Sequence, residues 1–381
     1  MYEPTLNEKR GELDWPLLLS ALGLMIIGVF FVFSATSAVE IARDWPWFKQ
    51  TFAHQIIWCI IGFGAAYVVS KFDYVSFARW STVSYWAMIL CLIVVLVKGS
   101  SVNGSKRWIN FGFGINFQPS EFAKLAFVLL QANYLSRPVE ELRRKKVFWT
   151  ALGMAILPFI LILKEPDMGS SLVFLSTSLV MMFVAGIPKR VLGWLVATTV
   201  ALVILVSVAA LMAPTHLKKI VTTYQQSRLR RFMGYEKDYN VEQALISVGS
   251  GGFSGKGWRQ GTQHSLGFLP RMGAHNDFIF SVIAEEEGFV GSVVILTLYT
   301  MLLFYGIKIA SQARDRLGKL LAIGVVALLF SHVFINIGMN IRIMPVAGIP
   351  LPLVSYGGSS VICSLIAIGL LHSVHTHRKS Y

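Results

Sequence analysis

Residues 15–34 read WPLLLSALGLMIIGVFFVFS, an apolar run without a charged side chain. About 20 such residues cross the hydrocarbon core of a bilayer as one α-helix. The run follows a charged stretch at 8–14 and is too long for the apolar region of a cleavable signal peptide. It therefore reads as a first spanning helix. Comparable runs recur at 54–70, 80–97, 122–135, 147–163, 168–187, 191–213, 289–307, 320–341 and 354–374. The second and fourth are short and must draw on flanking residues. The pattern predicts an all-α polytopic membrane protein of about ten transmembrane helices, a single integral membrane domain over residues 1–381.

Composition agrees. Charged residues make up 14% of the chain and mean hydropathy is +0.61, whereas a soluble domain carries about 25% charged residues. That excludes a water-soluble enzyme of this length. Cys59, Cys91 and Cys363 each fall inside an apolar run, without metal-ligand spacing. They read as apolar filler, not as a disulfide or zinc site.

The net charge of +14 would suit nucleic acid, but its distribution argues otherwise. With the N-terminus inside, the inner segments carry 17 Lys and Arg and the short outer connections 7. Basic residues hold cytoplasmic loops inside, so the bias predicts N-in, C-in topology and calls for no nucleic acid.

One connection is long, at 214–276 between the seventh and eighth runs, and it is expected on the extracytoplasmic side. It holds 9 basic and 3 acidic residues. Long loops escape the inside rule. The excess favours an anionic ligand such as a phosphate-bearing lipid, with general attraction to headgroups as the plainer account. Residues 224–233 have the composition of an interfacial amphipathic helix. The stretch GSGGFSGKGW at 249–258 lacks the P-loop pattern and reads as a tight turn held against the membrane surface.

Charge at membrane depth is costly, so ionisable groups there are functional candidates. In QPSEFAK at 118–124, Glu121 and Lys124 are three apart and share a helix face. They form either a neutralised pair tying helices together or the charged lining of a polar cavity. In AHNDFIF at 274–280, Asp277 stands where the long loop re-enters the membrane. Partial desolvation there suits a general base, tuned by His275; the structural alternative is a helix N-cap. Glu285, Glu286 and Glu287 follow closely as rivals. Arg107, Glu165 with Asp167, and Arg342 lie near outer helix ends, where snorkelling or capping is the ordinary job. His332 inside the ninth run reads as a packed, hydrogen-bonded histidine. The small residues of SYGGSS at 355–360 permit close helix packing.

Taken together, these segments resemble the SEDS family (shape, elongation, division and sporulation), the group of RodA, FtsW and SpoVE. The matching pieces are KRW at 106–108, QPSEFAK at 118–124, EPDMGS at 165–170, YQQSR at 224–228, GSGG at 249–252, HNDFIF at 275–280 with Glu285 and Glu286, and PLPLVSYGG at 350–358. They follow the family's order and cover nearly the whole chain. GWRQGTQ at 257–263, FLP at 268–270 and GIPLP at 348–352 look like the RodA branch more than FtsW.

The resemblance implies a peptidoglycan glycosyltransferase that polymerises lipid II on the outer face of the bacterial cytoplasmic membrane during cell elongation. It implies lipid-linked glycan as the other substrate, a class B penicillin-binding protein as partner, and membrane proteins of the elongation complex as neighbours. The family's essential loop aspartate falls on Asp277, and its important glutamate and lysine fall on Glu121 and Lys124. For handling the pyrophosphate, the candidates are Lys124, Arg107 and Arg228, with Asp167 and His275 at the cavity. A divalent cation, Mg or Mn, could accompany the pyrophosphate, although the sequence shows no dedicated cage. The chain departs from the family before the aspartate, where PRMGAHND at 270–277 lacks a usual Glu and carries Asn276 for Thr. Asn340 and Arg342 also stand where the family commonly has small residues.

Two other functions fit ten spans. A lipid flippase or transporter predicts charge at the midplane and broken helices in paired halves, but here the polar groups cluster toward the outer rim. A scaffold for the penicillin-binding protein needs only the wide apolar surface.

Overall fold

The computed structural model describes residues 13–37, 50–102, 105–110, 116–165, 167–188, 230–231, 234–270 and 273–378, with isolated positions between 190 and 197. Arg228 lies outside these residues, as do nearly all of 191–213 and 224–233. In chain order the helices are α1 (Trp15–Ser37), α2 (Thr51–Lys71), α3 (Tyr74–Arg79), α4 (Ser81–Lys98), α5 (Pro119–Leu135), α6 (Val139–Leu142), α7 (Lys145–Lys164), α8 (Met168–Ala185), α9 (Tyr239–Ser250), α10 (Thr262–Ser265), α11 (Ile279–Ser311), α12 (Arg316–Asn340) and α13 (Gly358–Thr376). Every apolar run within the described residues is thus a helix. Among the described residues, eight helices are long and apolar enough to cross a bilayer; of the two runs expected to be short, the second draws on flanking residues to reach 21 in α2, and α5 stays short at 17.

Local chemistry sets the boundaries. Pro119 opens α5, where its missing N–H costs nothing. The side chains of Asp73, Asp167 and Asp315 accept from backbone N–H groups and cap α3, α8 and α12. Because α12 is apolar on nearly all sides, it occupies the centre, packed by α5, α8, α11 and α13. α2 and α4 turn Ile60, Tyr67, Leu90 and Val97 outward, which is stable where lipid replaces water. α13 lies against α2, and a Cβ on Gly369 would strike the Ala66 backbone.

Connections segregate to the two ends of the bundle. At one end Tyr74 Oη donates to Asp315 Oδ1 at 3.0 Å, Ser373 Oγ to the Phe72 carbonyl at 2.6 Å and the Arg316 guanidinium to the Ala185 carbonyl at 3.0 Å. At the other end lie the connections after α4, after α7, before α11 and before α13. α8 finishes at the first end and α11 begins at the second; the seventh apolar run, expected as a span between them, lies largely outside the described residues.

Two features were not expected. The connection after α4 forms a small antiparallel sheet of β1 (Ser100–Val102), β2 (Ser105–Asn110) and β3 (Asn116–Phe117), in that order. α11 starts well before its apolar run and breaks at Gly288, with φ 65° and ψ −154°. The glycine segment docks into this break. Lys256 and Gly257 N–H donate to the Glu285 and Glu286 carbonyls at 3.0 and 2.8 Å, and Phe289 and Val290 N–H donate back to Gly252 and Phe253 at 2.9 and 3.2 Å. A Cβ on Gly251 would strike the Ala284 carbonyl, and one on Gly255 the Glu286 carbonyl. The glycines form the expected tight turn, with positive φ at Gly252, Gly255 and Gly257, and they also permit a close backbone approach at a helix break that the sequence did not announce.

Glu285 and Glu286 belong to the same lock. Glu285 Oε1 accepts from Lys256 Nζ at 2.6 Å, Thr262 N at 2.8 Å and Gln263 N at 3.1 Å, and Glu286 accepts from Ser34 Oγ of α1 at 2.6 Å. Both are fully buried. Through these hydrogen bonds they hold the long loop to the bundle. We predict that Gly251→Val lowers stability by about 1–3 kcal/mol through overpacking against backbone. Thermal unfolding of the detergent-solubilised protein measures it, and an unchanged midpoint would rule out this docking.

Candidate active site

The site is organised along one face of α12, where His332, Asn336 and Asn340 recur every four residues. All three are buried. In an apolar helix such side chains need internal partners. His332 Nε2 meets Lys124 Nζ of α5 at 2.8 Å, and Lys124 also pairs with Glu121 at 2.7 Å. One turn on, Asn336 Nδ2 donates to the Ile349 carbonyl at 2.8 Å and the Asp277 carbonyl at 3.0 Å. A further turn on, Asn340 Nδ2 donates to the Asp277 carbonyl at 3.1 Å, while Ser281 Oγ donates to Asn340 Oδ1 at 2.6 Å.

The backbone around Asp277 is gripped from the other side as well. Ser355 Oγ donates to the Asn276 carbonyl at 2.6 Å, and Tyr356 N–H donates to the His275 carbonyl at 2.9 Å. Three consecutive carbonyls, from His275 to Asp277, are thereby held by α12 and by the segment preceding α13. The His275 ring meets Tyr356 edge-on, with centroids 5.5 Å apart. Asp277 itself is half-buried. The residue capping α11 is Phe278, without a side-chain bond, so Asp277 is not the N-cap.

The outer rim contains a second constellation. Arg107, on β2, lies 3.6 Å from Asp167, and its Nε donates to the Glu165 carbonyl at 3.2 Å. Asp167 also caps α8 through Ser170 N at 3.0 Å.

The structure thus joins Arg107 to Asp167 and Glu121 to Lys124, and it links the second pair through His332 to α12, the helix that holds the Asp277 loop. His332 to Asn340 spans about 12 Å of helix, well short of the ~30 Å hydrocarbon core. The candidates therefore converge on one end of the bundle. Lys124 is only 1% exposed, so it forms a buried tie between α5 and α12 and does not line an open cavity here. Sequence reading singled out neither Asn336 nor the Asp277-holding role of Asn340. The available signal was polar recurrence at spacing four from His332 within an apolar run. Among the described residues, no three His, Cys, Asp or Glu side chains cluster to hold a metal ion. A cation arriving with a diphosphate would depend mainly on the diphosphate's own oxygens.

Glu165 is 2% exposed. Burial, and then the nearby Asp167 charge, push its pKa up from 4.5 to about 8, with Arg107 opposing. The unfolded chain ionises near 4.5 while the fold retains the proton to about 8. This group's contribution is therefore full below the lower value and lost as pH rises to the upper one. The stability difference between wild type and Glu165→Gln should decline from pH 5 to pH 8 in denaturation midpoints. A flat difference would mean that the buried carboxyl is already ionised.

Comparison with known proteins places this architecture. The profile of the FtsW, RodA and SpoVE family, described as cell cycle protein, matches residues 15–380. The peptidoglycan glycosyltransferase MrdB of Escherichia coli strain K12 is 35% identical over 373 residues, covering 97% of this chain and 95% of the relative. A chain from a solved peptidoglycan synthase complex that coordinates polymerization and crosslinking superposes with TM-score 0.77 at 29% identity, covering 95% of this chain and 97% of that one. The crystal structure of RodA from Thermus thermophilus gives TM-score 0.68 at 29% identity, over 97% and 98% of the two chains. The chain is a multi-pass membrane protein belonging to the FtsW, RodA and SpoVE family of cell cycle proteins.

Proposed function

We propose that this protein is a peptidoglycan glycosyltransferase that polymerises lipid II into glycan strands at the outer face of the cytoplasmic membrane. The observation that carries the reading is the Asp277 loop, whose backbone is held at three successive carbonyls while the residue stays half-buried. A carboxylate so placed is preorganised for proton transfer at the edge of a bilayer. The relatives named as peptidoglycan glycosyltransferases support the reaction class.

In the proposed step Asp277 takes the proton from the 4-hydroxyl of the acceptor sugar. The freed oxygen attacks the anomeric carbon of the lipid-linked donor. A new C–O bond forms, the bond to the diphosphate breaks, and the electron pair leaves with the diphosphate. Attack opposite the leaving group inverts the anomeric centre, as with single-base inverting enzymes. Arg107, held by Asp167, contributes positive charge for the departing anion. Arg228 and the other loop cations extend this role. Glu121, Lys124 and His332 fix α5 against α12 and so position the loop. The orientation is N-in and C-in, with the Asp277 end outward, and the partner is a class B penicillin-binding protein of the elongation machinery. The crosslinking complex among the structural neighbours supports such a pairing.

Asp277→Asn should lower polymerisation of lipid II by about 100-fold or more, with the thermal unfolding midpoint retained. Gel analysis of glycan strands made by the purified protein with its partner provides the measurement. Product at the wild-type level would sink the assignment.

A further inference from the structure

Among the described residues, three other than glycine adopt left-handed backbone conformations: Arg259 at φ 61°, Arg342 at φ 61° and Leu353 at φ 67°. Such conformations are retained only where the surroundings compensate them. For Leu353 the compensation is visible: its side chain is fully buried and its carbonyl seats against Gly28 of α1. For Arg259 it is also visible, since its N–H serves Glu286 and its guanidinium lies 5.3 Å over Phe33. Arg342 has no such return from the protein. Its side chain is exposed and makes no hydrogen bond or ion pair among the described residues.

The backbone at Arg342 makes the contrast sharper. Arg342 N–H donates to the Met339 carbonyl at 3.3 Å and Ile343 N–H to the Gly338 carbonyl at 2.8 Å. These two bonds close α12 in a Schellman motif, with Arg342 at the left-handed position that glycine normally fills. An arginine there is less stable than a glycine by its Cβ alone. Its position is also specific, because Asn340, two residues before it, holds the Asp277 carbonyl. The αL turn thus projects a cation from the same helix end that fixes the Asp277 loop. Asp238 and Glu242 share a shallow cleft with Arg342, yet neither closes an ion pair on it.

We infer that Arg342 is a substrate-positioning residue that binds the diphosphate of the lipid-linked saccharide beside Asp277. The inference rests on the glycosyltransferase reading and adds to it a cation outside the Arg107 constellation. A guanidinium suits this ligand because its fork can engage two phosphate oxygens at once. The strained backbone is what a ligand contact, absent from the protein alone, would offset.

The test uses the full-length protein in detergent, with Arg342→Gly, Arg342→Lys and Asp277→Asn made separately. The probe is polyprenyl diphosphate, with polyprenyl monophosphate as the comparison. Arg342→Gly should weaken diphosphate binding by about 10-fold, the scale of one charge-assisted contact, and raise the KM for lipid II more than it lowers kcat. Its thermal midpoint should equal or exceed that of the wild type, because glycine relieves the left-handed strain. Arg342→Lys should keep part of the affinity but lose preference for diphosphate over monophosphate. Wild-type diphosphate affinity in Arg342→Gly overturns the inference, and so does a lowered midpoint, which would make Arg342 a structural tie to Asp238 and Glu242. If Asp277→Asn stays fully active, the glycosyltransferase reading fails, whatever Arg342 does.

Discussion

A buried amide must spend its hydrogen bonds inside the protein, and α12 shows how far that constraint reaches. Asn336 and Asn340 lie in an apolar helix at the centre of the bundle, without access to water. Their donors meet carbonyls of two separate connections, Asp277 before α11 and Ile349 between α12 and α13. The same requirement one turn away joins His332 to Lys124, and Lys124 to Glu121. Each unmet bond at this depth would cost about 1–3 kcal/mol, so the loop, α5 and α12 are held in one register. The position of the Asp277 backbone follows from the satisfaction of these asparagines.

A second lock of the same kind operates at the α11 break. Glu285 and Glu286 are buried, and their partners come from the glycine segment, α10 and α1. Backbone amides of the segment meet the carbonyls left open by Gly288. The described part of the long loop is therefore held twice, at 256–263 by Glu285 and at 275–277 by α12 and the segment before α13.

The contrast between Lys124 and Arg342 illustrates how burial sorts cations. Lys124 is enclosed and neutralised, and it behaves as a structural tie. Arg342 is exposed on a strained turn, unpaired among the described residues. Charge alone would have ranked the intramembrane lysine first as an anion ligand. Accessibility reverses that order, because a diphosphate can reach only the cation that the protein leaves open.

Much of this protein was legible in its sequence. Apolar runs of bilayer length announced the helices, because lipid tolerates little else across its core. Pro119 and Asp167 marked helix starts, and the charge at Asp277 marked the loop edge. The spacing of Glu121 and Lys124 announced their pairing, since residues three apart share a helix face. Other features depended on segments far apart in the chain. Gly251 and Gly255 read as turn residues, and they are, but the sequence did not show that the carbonyls of Ala284 and Glu286 lie against them. Glu285 read as a rival to Asp277, and the sequence did not show that Lys256 and Thr262 donate to it. The partners of Asn336 and Asn340 were silent because an asparagine's partner is a carbonyl, and every residue has one. Periodicity and composition are local and survive in the sequence; which buried donor meets which distant carbonyl is decided only when the helices pack.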